Sequence, residues 1–326
     1  MSLADQIFVD MCNDIINNGT STEGEKVRPV WEDGTSAYTI KKFGVVNRYD
    51  LTKEFPALTL RRTAIKSCTN EMLWIWQQKS NNIHELKSGV WDEWADETGS
   101  IGKAYGYQIA KPYAHHVYKN EEDLSDYPSA EVRTVAVDRN ILDEDGNPVN
   151  AGDEKTYVFM DQIDAARYDL KHTPFSRRII VNMYNLEDLH EMHLYPCAYS
   201  MTFNVTTRRD EKTGEDKLVL NGVLNQRSQD VLAANNWNVC QYSVLLHMLA
   251  RDCDMEVGEL VHVIADAHIY DRHIPLVQEL ITREQHPAPT FWLNPEVHNF
   301  YDFTDADIRL DDYVTGPQIK NIPIAV

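Results

Sequence analysis

The stretch from Val239 to Leu249, VCQYSVLLHML, is apolar almost all the way round a helical projection. A helix with no polar face belongs inside a protein rather than on its surface. Strand-like runs lie on both sides of it. Ala198 to Thr206 carries the alternating set Tyr199, Met201, Phe203 and Val205, and Lys217 to Leu224 follows the charged turn Arg208 to Gly214. Leu260 to Ile269 reads as a further strand.

The remaining elements follow no repeating strand-helix rhythm. Leu3 to Ile16 has Ile7, Phe8, Met11, Cys12, Ile15 and Ile16 at helical spacing, and Asn17-Asn18-Gly19 ends it. Tyr38 to Ile40 and Phe43 to Val46 read as short strands, and Ala64 to Gln77 as a helix whose apolar face surrounds Glu71. A carboxylate so placed is usually exposed; buried, it needs a purpose. Val132, Val135 and Val137 set against Tyr157 and Phe159 predict a hairpin turning near Asp145-Gly146. Met160 to Lys171 reads as an amphipathic helix and Arg177 to Tyr184 as a strand. The class is α+β, a largely antiparallel or mixed sheet with helices packed against it.

Composition excludes several functions. A net charge of −20 opposes a general nucleic-acid surface, which needs clustered Lys and Arg. The five cysteines are scattered, with no C-x-x-C pair, and read as free thiols. Glu25 stands where a phosphate loop needs lysine, and no G-x-G-x-x-G occurs. Asp266, His268 and His273 lack a completing Cys or Glu-x-x-His, so they are expected to be hydrogen-bonding groups and no metal is expected. No apolar run is long enough to span a bilayer, and Met1 to Gln6 lacks the basic start of a signal peptide, so the expected location is cytoplasmic.

Cys197 is the candidate nucleophile, because Gln226-Arg227-Ser228-Gln229-Asp230 follows it with a cation able to favour the thiolate. Arg28, Arg177, Arg178 and Arg227 form an inventory of planar donors suited to a phosphate monoester. Any one of them alone would more often be a solvated surface residue.

The order of the motifs strengthens the pattern. Val27-Arg28, Asp33-Gly34-Thr35, Glu71-Met72-Leu73-Trp74, Trp91-Asp92-Glu93-Trp94-Ala95, Tyr105-Gly106-Tyr107-Gln108, Ser176-Arg177-Arg178, Pro196-Cys197, Gln226 to Asp230, Asn238, Asp266 to Tyr270 and Pro323 to Val326 appear in sequence. In these the chain resembles the thymidylate synthases nearly end to end. Only an acidic segment at about 113–155, taken as a surface insertion without chemistry, falls outside the resemblance.

The resemblance implies a single catalytic domain over 1–326 and a homodimer formed sheet to sheet. It implies reductive methylation of dUMP to dTMP, with 5,10-methylenetetrahydrofolate giving carbon and hydride and leaving as dihydrofolate. Cys197 would add to C6 of uracil. Arg28, Arg227 and Ser228 would hold the phosphate from one subunit, while Arg177 and Arg178 reach in from the other. Asn238 would donate to O4 and accept from N3–H, which selects uracil; Gln226 joins the dUMP contacts, and His268 and Tyr270 would bond the ribose 3′-hydroxyl. Glu71 would organise water for proton transfer and Tyr105 would help remove the C5 proton. Asp230 would accept from the pterin, with Trp91, Trp94 and Val326 as wall and lid.

Two rivals remain within reach of the same residues. A dUMP hydroxymethylase would let water capture the methylene, which Trp91 and the intact Pro323 to Val326 tail oppose by excluding water. A non-catalytic RNA-binding regulator is opposed by the acidic balance. The chain also departs from the family pattern at Ala198, Ala234, Asn236, Ala265 and Asn321.

Overall fold

The computed structural model describes residues 2–136, 144–145 and 154–325. Helix α1 (Leu3–Asn18) begins where Ser2 Oγ accepts the Asp5 N–H. After the short β1 (Thr20–Ser21), the two strands expected around residues 38–46 form one longer strand, β2 (Thr39–Asp50). Gly44, at φ +72°, kinks it, and pairing on either side keeps it continuous. Helix α2 (Ile65–Trp76) and the one-turn α3 (Gly106–Ala110) complete this half.

The segment taken as an insertion folds as β3 (Tyr113–Val117), β4 (Glu131–Ala136) and β5 (Glu154–Met160), a three-stranded sheet in the order β3-β5-β4. The hairpin expected from its valines is the antiparallel β4/β5 pair, with Val132 opposite Val158. Val137 and Gly146 lie outside the described residues. Met160 was expected to open a helix but closes β5. Asp161 caps α4 (Gln162–His172) by accepting the N–H groups of Ile163 and Asp164. The strand expected over 177–184 shrinks to β6 (Ile180–Asn182).

The main sheet adds β7 (Ala198–Arg209), β8 (Asp216–Gln226), β9 (Gln229–Asp230) and β10 (Glu256–Tyr270). Its order is β1-β2-β10-β8-β7-β6, with β9 beside β10. Pairing is antiparallel except where β10 meets β8 and β9, so the sheet is mixed and the fold α+β. The apolar run opens into α5 (Asn235–Asp252), which packs on α2 and on β8 and β10. A Cβ on Gly222 would lie 2.2 Å from Met201 Cε and 3.0 Å from Leu246 Cδ2, so a larger residue there would have to displace side chains that pack α5 on the sheet. Helix α6 (Ile274–Leu280) and the pair β11 (Thr290–Leu293) and β12 (Ile308–Asp311) finish the fold.

Buried charge fixes the far end of α5. Arg167, with no side-chain exposure, donates from Nε and Nη2 to Asp252 at 2.9 Å each and from Nη1 to Asp164 at 3.2 Å. Planar, bidentate pairing of this kind satisfies a guanidinium away from water. Among the described residues, no helix is long and apolar enough to cross a membrane.

Candidate active site

Pro196-Cys197 leads straight into β7, and a bulge opens immediately afterwards. Ala198 pairs with Gln226 but Ser200 with Asn225, which leaves Tyr199 as the extra residue. The expected alternation therefore starts later: Met201, Phe203 and Val205 are buried, whereas Tyr199 is only half-buried. Cys197 itself is half-buried, and its N–H donates to the Tyr105 hydroxyl at 3.0 Å. Tyr105 sits at φ +46°, a costly backbone for an aromatic residue and one that clusters at functional sites.

Arg227 is fixed against the thiol. Its Nε donates to Pro196 O at 3.0 Å, Nη2 donates to Tyr195 O at 2.6 Å, and Nη2 stands 3.7 Å from Cys197 Sγ. Burial pushes the Cys197 thiol up, and Arg227 and then Arg28 pull it down without cancelling the rise. The expected cation is in place, but the protonated thiol remains the favoured form.

Behind the cysteine runs a chain of amides, of which Gln226 and Gln241 are buried and Asn238 half-buried. His262 Nε2 meets Gln226 Oε1 at 2.5 Å, and Gln226 Nε2 donates to Asn238 Oδ1 at 3.0 Å. Asn238 Nδ2 in turn donates to Gln241 Oε1 at 3.1 Å, and Gln241 Nε2 to Cys68 O at 3.2 Å. Burial lowers the His262 pKa to about 3, so the ring is neutral and must donate to Gln226. The chain fixes which end of the Asn238 amide is oxygen. One lone pair and one N–H remain on it for a ligand with an adjacent donor and acceptor.

Glu71 is 7% exposed, inside α2 rather than on its surface. Its Oε1 accepts from Trp91 Nε1 at 3.0 Å and its Oε2 from Trp237 Nε1 at 2.5 Å. Burial raises its pKa to about 7, against the lowering pull of Trp237, Trp91 and Gln241. Such a group carries or releases a proton near neutrality. Trp91 also packs edge-on against Trp94 and Tyr105, with centroids 5.8 and 5.0 Å away.

On the opposite side, β9 places Asp230 beside His268 of β10. Asp230 Oδ1 accepts the Ala233 N–H at 3.0 Å, while Oδ2 accepts no hydrogen bond among the described residues. Burial raises the Asp230 pKa, but His273, the Ala233 N–H and His268 together outweigh it and the net shift is downward. His268 Nδ1 lies 2.9 Å from Asp266 Oδ1, and Tyr270 packs edge-on against His268 with centroids 5.0 Å apart. Arg28 acts electrostatically on both Cys197 and Tyr270.

Arg28, Arg177 and Arg178 are exposed, and neither they nor Ser228 make a side-chain hydrogen bond or ion pair among the described residues. Among the described residues, no hydrogen bond or ion pair joins Arg177 or Arg178 to Cys197. Val326 lies outside the described residues, and among these no group of three or more His, Cys, Asp or Glu is placed to hold a metal ion. Two departures from the family pattern have structural accounts. Asn236 falls inside α5, where Oδ1 accepts from Leu58 N at 3.0 Å and Nδ2 donates to Pro56 O at 2.8 Å, tying the helix to the preceding connector. Asn321 takes the left-handed backbone, φ +53°, which asparagine tolerates.

Sequence reasoning missed Trp237, Gln241 and His262. Trp237 adjoins Asn238 and Gln241 stands three residues after it, a spacing that brings side chains together on a helix. His262 had no local signal, because it reaches Gln226 only through the β8/β10 pairing.

Similarity to known proteins agrees with this arrangement. Residues 6–326 match the thymidylate synthase family. The thymidylate synthase of Bacillus licheniformis is 37% identical over 323 residues, covering 98% of each chain. Thymidylate synthase 1 of Bacillus subtilis strain 168 is 35% identical over the same share. The solved structure of thermostable thymidylate synthase A from Bacillus subtilis superposes with a TM-score of 0.76 at 33% identity, covering 99% of both chains. With a cysteine, an arginine and an ordered amide chain converging inside that shared fold, the chain belongs to the thymidylate synthase family.

Proposed function

We propose how these residues carry out the reductive methylation of dUMP to dTMP. The observation that carries the reading is the convergence of Cys197, the Arg227 guanidinium 3.7 Å from its sulfur, and an Asn238 amide whose two ends are fixed. Sγ forms a bond to C6 of uracil, and the electrons of the C5–C6 double bond move towards O4, which makes C5 nucleophilic. Asn238 matches uracil because its free N–H meets O4 and its free lone pair meets N3–H. Arg28, Arg227 and Ser228 hold the phosphate, and His268 with Tyr270 hold the ribose 3′-hydroxyl. Because burial favours the thiol, the Sγ proton passes to solvent at the half-buried Cys197 as the bond forms, with Arg227 stabilising the developing anion.

Glu71, poised at about 7, relays protons to and from O4 through water. Burial holds the Tyr105 pKa well above its ordinary value, so this residue acts as a neutral phenol that positions the base or water removing the C5 proton. Loss of that proton breaks the bond between the methylene and the folate nitrogen, leaving an exocyclic methylene on C5; hydride addition to this methylene then expels Sγ and restores the C5–C6 double bond.

5,10-Methylenetetrahydrofolate supplies the one-carbon unit and the hydride. Trp91 and Trp94 offer an aromatic wall for its pterin, and the ionised Asp230, with Oδ2 open, suits the pterin's N–H donors. The same wall keeps water from competing with hydride.

A homodimer is supported by the uncovered face of the main sheet. Ile180, Val46, Val223, Val261 and Val263 share the face opposite α5, with Ile180 48% and Val46 53% exposed. Burying that face against a second copy would bring Arg177 and Arg178 to the partner's phosphate site.

Release of tritium from [5-³H]dUMP in the presence of the folate, together with dihydrofolate formation, tests the reading. Tritium release with tetrahydrofolate and hydroxymethyl-dUMP as products would replace it with the hydroxymethylase; no release at all would refute the Cys197 chemistry.

A further inference from the structure

His273 closes the turn after β10 and is 1% exposed. Its Nε2 lies 2.8 Å from the Pro323 carbonyl oxygen, and its Nδ1 lies 3.6 Å from Asp230 Oδ1. A carbonyl only accepts, so Nε2 must carry a proton. Were that the only proton on the ring, the bare lone pair of Nδ1 would face a carboxylate with nothing between them. Nδ1 would then be a buried acceptor with no donor, set against a negative charge. A second proton on Nδ1 turns the conflict into a charge-assisted contact.

The charged surroundings favour that second proton. Asp230 faces the ring from β9 and Asp271 acts on it from its own turn. Trp31 and Tyr270 present edge-on rings with centroids 5.8 and 5.5 Å away, and among the described residues of the C-terminal segment the Pro323 carbonyl bonds the ring. The nearest cation in sequence, Arg272, lies over the Trp31 ring and pairs with Asp33. Burial alone would lower the His273 pKa, yet Asp230, the Pro323 carbonyl and Asp271 together outweigh it and the net shift is upward.

We propose that His273 is a positioning residue which, as an imidazolium, fastens the C-terminal segment around Pro323 to the Asp230 carboxylate. The inference rests on the assignment of Asp230 to the pterin side of the site. One protonated ring then orients the acceptor for the folate and holds the segment that covers it. Loss of the Nδ1 proton as pH rises would release the Asp230 side of the link and leave the Pro323 side intact.

Two measurements decide it. Ring ¹⁵N shifts of His273 in the wild-type protein at neutral pH should show both nitrogens protonated, whereas a single-proton tautomer would overturn the proposal. His273→Gln retains a donor for the Pro323 carbonyl but no titrating charge. It should raise the KM for 5,10-methylenetetrahydrofolate by roughly tenfold, the scale of one charge-assisted hydrogen bond, and leave the KM for dUMP within about twofold. It should also flatten the fall of kcat/KM for the folate at high pH. An unchanged folate KM and pH profile would overturn the proposal. Failure of the underlying site reading looks different: the wild-type protein would then release no tritium in a folate-dependent way, while the ¹⁵N shifts would still report the state of the ring.

Discussion

Replacing Trp237 with phenylalanine isolates one of the two indole N–H groups that hold Glu71. The change keeps an aromatic ring against the carboxylate and removes the donor at 2.5 Å from Oε2, leaving Trp91 at 3.0 Å from Oε1. A hydrogen bond to an ionised group contributes about 1.5–3 kcal/mol, and one pKa unit corresponds to about 1.36 kcal/mol. Since the donor favours the charged form, its loss should raise the Glu71 pKa from about 7 by roughly one to two units. The limb of the kcat–pH profile that reports Glu71, followed by dihydrofolate formation, should move to higher pH by that amount, and Glu71→Gln should abolish the limb.

Stability carries the same signature. Glu71 is raised above its ordinary 4.5, so the native state keeps a proton that the unfolded chain has lost, and stability falls as pH rises from 4.5 towards 7. In Trp237→Phe the fall should continue beyond 7. The deficit relative to wild type in urea unfolding should therefore be larger at pH 8 than at pH 5, by about 1–1.5 kcal/mol. A limb that stays in place or moves to lower pH, with a deficit independent of pH, would refute the assignment of Trp237 as a donor to ionised Glu71.

Cys197→Ser should reduce tritium release from [5-³H]dUMP by roughly a thousandfold or more, since a hydroxyl beside Arg227 is far less acidic than a thiol; retention of activity would sink the covalent mechanism. Mixing Cys197→Ser subunits with Arg178→Ala subunits should restore activity that neither possesses, because one hybrid site would receive an intact cysteine and the partner's intact arginine. No recovery after demonstrated subunit exchange would argue against phosphate binding across the interface. Asp252→Asn should cost about 3–5 kcal/mol in urea unfolding, as it leaves the buried Arg167 charge under-compensated. A loss below about 1 kcal/mol would mean that water or Asp164 takes over the pairing.

Local pattern was enough for α1, α2, α5 and the strands β7, β8 and β10, because helical and alternating apolar spacing reports which face is buried. It was weaker where an element depends on its neighbours. Lys41-Lys42 divides β2 into two short strands in the sequence pattern, but β10 pairs with both halves and with the lysines between them. Met160 reads as the start of an apolar helix face until Tyr113 pairs with it as the end of β5. The bulge at Tyr199 has no signature within β7, since it exists only in register with β8.

For the site, the chain order of Cys197, Arg227, Asp230, Asn238, His268 and Tyr270 determined the chemistry on its own: a thiol, a cation, a carboxylate and an amide are what they are in any fold. Tertiary structure decided their working states. Burial, a property of the assembled core, keeps Cys197 a thiol and brings Glu71 to about 7. Long-range pairing supplied the partners that no local window contains: Trp237 for Glu71, His262 for Gln226, and Pro323 for His273. Sequence specifies which groups are present, but a pKa or an amide's orientation depends on desolvation and on atoms brought together from distant parts of the chain, and these exist only once the chain has folded.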